Sequence, residues 1–154
     1  MRARVTIRLP KNKSLRPLNC PFEKAILSTR CDCALAERYV VGERTGVRCR
    51  AAPARRDCID LVKALRDNAR FALKVTDTTA GLAFGKEMRI LYGGLAGLQR
   101  LLDPGATADG RAADIHALVE AARRRYHALD ALPYPELVRD IAAYRLTRRG
   151  GSRS

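Results

Sequence analysis

The placement of cysteine constrains this chain more than any other feature. All five lie within the first 58 of its 154 residues, as Cys20-x10-Cys31-x-Cys33-x15-Cys49-x8-Cys58. The stretch that carries them is short on large apolar residues and is broken by Gly42 and Gly46. Such a stretch buries little and needs something other than a core to order it. A disulfide framework is a poor fit. The odd count leaves one thiol over. Pro10, Lys11, Asn12 and Lys13 interrupt any apolar run behind the basic start, so a signal peptide is not expected and a cytoplasmic, reducing location is.

Clustered soft thiolates favour Zn(II), Cu(I) or an iron–sulfur centre. The spacing has no pair of C-x2-C knuckles and no ferredoxin run. Cys31 and Cys33, one residue apart, suit two irons of a cluster better than one tetrahedral zinc. The expectation is an iron–sulfur centre, with zinc as the alternative, drawn from Cys20, Cys31, Cys33, Cys49 and Cys58. A redox-active Cys31/Cys33 dithiol and a set of inert buried thiols are the competing readings.

Geometry bears on which thiol is spare. A continuous helix over 21–29 would hold Cys20 and Cys31 roughly 15 Å apart at about 1.5 Å per residue. They share a centre only if that helix is short and the chain folds back at Ser28-Thr29. The favoured four are Cys20, Cys31, Cys33 and Cys49. Cys58, which leads into the apolar Leu61, Val62 and Leu65, is then a neighbour or an exchangeable fifth thiol. Lys24, Arg30, Arg38, Arg44, Arg48, Arg50, Arg55 and Arg56 are interleaved with the cysteines, and such cations are expected to lower thiol pKa.

Beyond Pro53 the pattern turns helical. Apolar residues recur at three- and four-residue steps over 54–74, 86–102, 109–132 and 136–146. Asp103, Pro104 and Gly105 stop the second of these, and Pro133 and Pro135 set off the last. Short helices are also expected over 22–28, opened by Pro21, and over 34–41, capped by Asp32. Val5, Ile7 and Leu9 alternate in a short strand or extended arm. The expected fold is mainly α: a bundle of about four helices behind an irregular cysteine-rich segment and a short N-terminal strand or arm. Its parts are a basic arm (1–19), the cysteine segment (20–58), the bundle (54–146) and a flexible basic tail (147–154).

The net charge of +14 is concentrated at the ends. Residues 1–16 carry Arg2, Arg4, Arg8, Lys11, Lys13 and Arg16 with no acid. Residues 145–154 carry Arg145, Arg148, Arg149 and Arg153, again with no acid. Blocks of this kind grip acidic partners. An acidic protein is the expected partner, with nucleic acid or a ribonucleoprotein as the alternative. Few of the eight Tyr and Phe residues interleave with the basic runs, which argues against a base-stacking platform.

Catalytic signals are weak. No H-E-x-x-H, G-x-S-x-G or paired-carboxylate arrangement occurs, so an electron-transfer or accessory role fits better than an enzyme. Gly81 to Lys86 is one residue short of a phosphate loop. Gly93, Gly94 and Gly97 suggest a smooth helix face where another backbone approaches. Arg123, Arg124 and Arg125 read as a solvated face, and His116 and His127 as packing or surface residues. No apolar run is long enough to span a membrane.

Overall fold

The computed structural model describes residues 19–29, 31–73, 84–105 and 114–144, and the backbone of 6–8. In chain order the elements are β1 (Thr6–Arg8), α1 (Glu23–Leu27), β2 (Ala36–Val41), β3 (Arg44–Cys49), α2 (Ala52–Ala69), α3 (Phe84–Leu102), α4 (Ile115–Tyr126), a 3-10 turn (Leu129–Ala131) and α5 (Tyr134–Ala143). The fold is mainly helical, with the cysteines clustered over residues 20–58, as the sequence pattern indicates.

The cysteine segment is more regular than its composition suggests. The helix expected over 34–41 is a strand. β2 pairs antiparallel with β3, Ala36 opposite Cys49 and Val41 opposite Arg44. Gly42 opens the two-residue turn with φ 62°, a left-handed conformation that suits the twist of a hairpin. Opposite Tyr39 stands Gly46, where an added Cβ would run into the tyrosine ring. The ring lies across that gap, and its hydroxyl donates to Asn19 Oδ1 at 2.6 Å. A strand of this kind packs by cross-strand partners, which helical periodicity over a few residues does not reveal. β1 adds parallel to β2, Thr6 opposite Arg38 and Arg8 opposite Val40.

α1 is only five residues long and ends at Ser28. Thr29 takes φ 61° and its amide donates to the Ile26 carbonyl at 2.9 Å, so the chain turns back there. Glu23 fastens the helix to the sheet: Oε2 accepts from the amide of Val47 at 2.7 Å. Phe22, Ala25 and Ile26 are fully buried beneath it.

The bundle core is Leu61, Val62, Leu65, Ile90, Leu91, Leu95, Leu98, Ile115, Val119, Leu137 and Ile141, all nearly inaccessible. Each such side chain contributes roughly 1.5–3 kcal/mol relative to exposure. α3 and α5 approach closely along the glycine face. A Cβ on Gly93 would come within 2.7 Å of Ile141 Cα, and one on Gly97 within 2.6 Å of Asp140 Oδ2. The helix expected over 109–132 is shorter. Its described part begins at Ile115 and ends where His127 turns left-handed, φ 70°, before the 3-10 turn. Arg123, Arg124 and Arg125 are exposed in its last turn, where cations favour the helix dipole. Arg123 pairs with Asp57 of α2 at 2.8 Å. Glu87 of α3 is buried and takes both Lys24 of α1 and Arg66 of α2 at 2.7 Å. Three helices thereby meet at one compensated carboxylate.

No described helix is long and apolar enough to cross a membrane. Of the basic arms, Arg2, Arg4, Lys11, Lys13, Arg16, Arg145, Arg148, Arg149 and Arg153 lie outside the described residues, and Arg8 contributes backbone to β1.

Candidate metal centre

Cys20, Cys33, Cys49 and Cys58 line one small cavity, with Ile115 and His116 of α4 and Arg55 of α2 completing its wall. The space has room for about one water-sized sphere. The thiols reach it from four places. Cys20 precedes α1, Cys33 precedes β2, Cys49 ends β3, and Cys58 stands in the second turn of α2.

Each placement has a local cause. The amide of Cys20 donates to the Val47 carbonyl at 2.8 Å, which holds this residue beside β3. Two residues on, the amide of Phe22 donates to Cys20 Sγ at 3.4 Å. The amides of Leu35 and His116 lie where they favour the charged form of Cys33. Cys49 stands opposite Ala36 at the end of the hairpin, and its Sγ donates to the Ala51 carbonyl at 3.3 Å. Pro53 starts α2 directly afterwards and brings Cys58 round to the cavity. Arg55 Nε donates to the Asn19 carbonyl at 2.8 Å and ties α2 to the approach to Cys20.

The far wall comes from eighty residues away. Ala34 donates its amide to Asp114 Oδ1 at 3.0 Å, and Ile115 donates to the Asp32 carbonyl at 3.0 Å. Asp114 also caps α4, accepting from the amide of His116 at 3.1 Å. The first turn of α4 is thus bonded along the loop that carries Cys33.

Burial dominates the electrostatics. It pushes the thiols of Cys20 and Cys31 up to about 12, with neighbouring thiols adding to the effect. Cys58 is raised by the same causes. Cys33 is raised by burial, although the amides of Leu35 and His116 pull the other way. The lowering expected from the interleaved cations does not outweigh burial at Cys20, Cys31, Cys33 and Cys58. Lys24 pairs with Glu87, Arg48 with Glu37, and Arg38 and Arg50 donate to the Ile26 and Ala34 carbonyls.

The set on the cavity wall differs from the favoured four. Cys58 is on the wall, whereas Cys31, also buried, is not. As the side chains stand, no three His, Cys, Asp or Glu groups among the described residues converge closely enough to hold a metal ion. Asp114 and His116 carry no local sequence signal for the site, whereas Arg55 is one of the cations interleaved with the cysteines. His116 in particular reads as packing until α4 is seen against Cys33. Compared with known proteins, the chain matches no family model, no curated protein and no solved structure.

Proposed function

We propose that this chain is a metal-thiolate protein in which Cys20, Cys33, Cys49 and Cys58 hold a single tetrahedral ion, zinc or iron. The observation that carries this reading is that four thiols, from four separate stretches, line one small cavity. Four thiolates are the soft donor set that both ions take. The amide donor on the sulfur of Cys20 suits an anionic ligand, since an N–H group aimed at a thiolate stabilises its charge. The small volume favours one ion over the iron–sulfur cluster that the spacing suggested. Closing the four sulfurs on that ion calls for rotations of cysteine side chains between staggered wells.

The ion would lock the hairpin segment onto the bundle. The metal-locked body then serves as an accessory factor, and the charge on residues 1–16 and 145–154 docks an acidic partner protein. Metal and acid-labile sulfide analysis of anaerobically purified protein is the test. About one zinc or iron per chain, without sulfide, is expected. Stoichiometric sulfide would replace the single ion with a cluster. A metal-free protein that neither takes up zinc nor gains stability from it would overturn the reading.

A further inference from the structure

We draw no further inference here: the strongest candidate, the cationic patch where the last turn of α4 meets the first turns of α2, has Arg55, Arg123 and Arg125 already bonded within the fold, and nothing in the structure shows what would cover the exposed Arg56 and Arg124.

Discussion

The backbone amide of Ala34 donates to Oδ1 of Asp114 across 3.0 Å, joining residues eighty positions apart. The same carboxylate caps α4. Asp114→Ala removes an N-cap and leaves the Ala34 amide without this acceptor. The expected loss is about 1–3 kcal/mol, of which roughly 1 kcal/mol is the cap. Asp114→Asn keeps an acceptor and costs less. Urea unfolding of the two variants checks this; equal losses would contradict it.

Removing the proposed metal is expected to have a local signature. A structural ion lends its binding free energy to the segment it closes. Chelation of the loaded protein is expected to lower amide protection first in residues 19–58, while α3 and α5 keep theirs. Hydrogen exchange followed by peptide reads the difference. Uniform loss across both regions contradicts a local lock.

The glycine face gives a test with two signs. A methyl group added at Gly85 would have nothing within 4 Å, so Gly85→Ala should add about 0.5–1 kcal/mol from helix propensity. Gly93→Ala meets Ile141 Cα at 2.7 Å, and backbone gives way poorly. Overpacking there outweighs propensity, for a net loss of about 1–3 kcal/mol. Thermal unfolding midpoints should move in opposite directions.

Tyr134 sets an alkaline limb. Its hydroxyl donates to the Leu129 carbonyl at 2.6 Å, and burial, with Asp130 nearby, pushes the phenol up to about 12. The folded pKa exceeds the ordinary value of about 10, so its contribution is complete below pH 10. It is lost as pH rises from about 10 through about 12. Tyr134→Phe is less stable at neutral pH by about 1 kcal/mol and loses less over that interval. Denaturation midpoints from about pH 8 to about pH 12, wild type against variant, decide it.

Much of this fold is legible in the order of residues alone. Helices α2 and α3 follow their apolar repeats, and the close approach at Gly93 follows from glycines no helix would otherwise keep. β2 is not legible, because Ala36–Val41 draws its strand character from β3 and from the Tyr39–Gly46 fit across the pair. The break at His127 is hidden too, since histidine in a left-handed turn carries no glycine to announce it. For the site, the clustering of thiols marks the region. Which of them face one cavity depends on where α1 ends and how α2 is phased. His116 belongs to the wall only through tertiary contact, and no local pattern encodes that.

The wall formed by α4 also sets a timetable for synthesis. Cys20, Cys33, Cys49 and Cys58 leave the ribosome well before His116. At about 5–20 residues per second, several seconds separate the last of these thiols from the helix that closes over them. In that interval the four cysteines lack the wall that Ile115 and His116 supply in the finished chain.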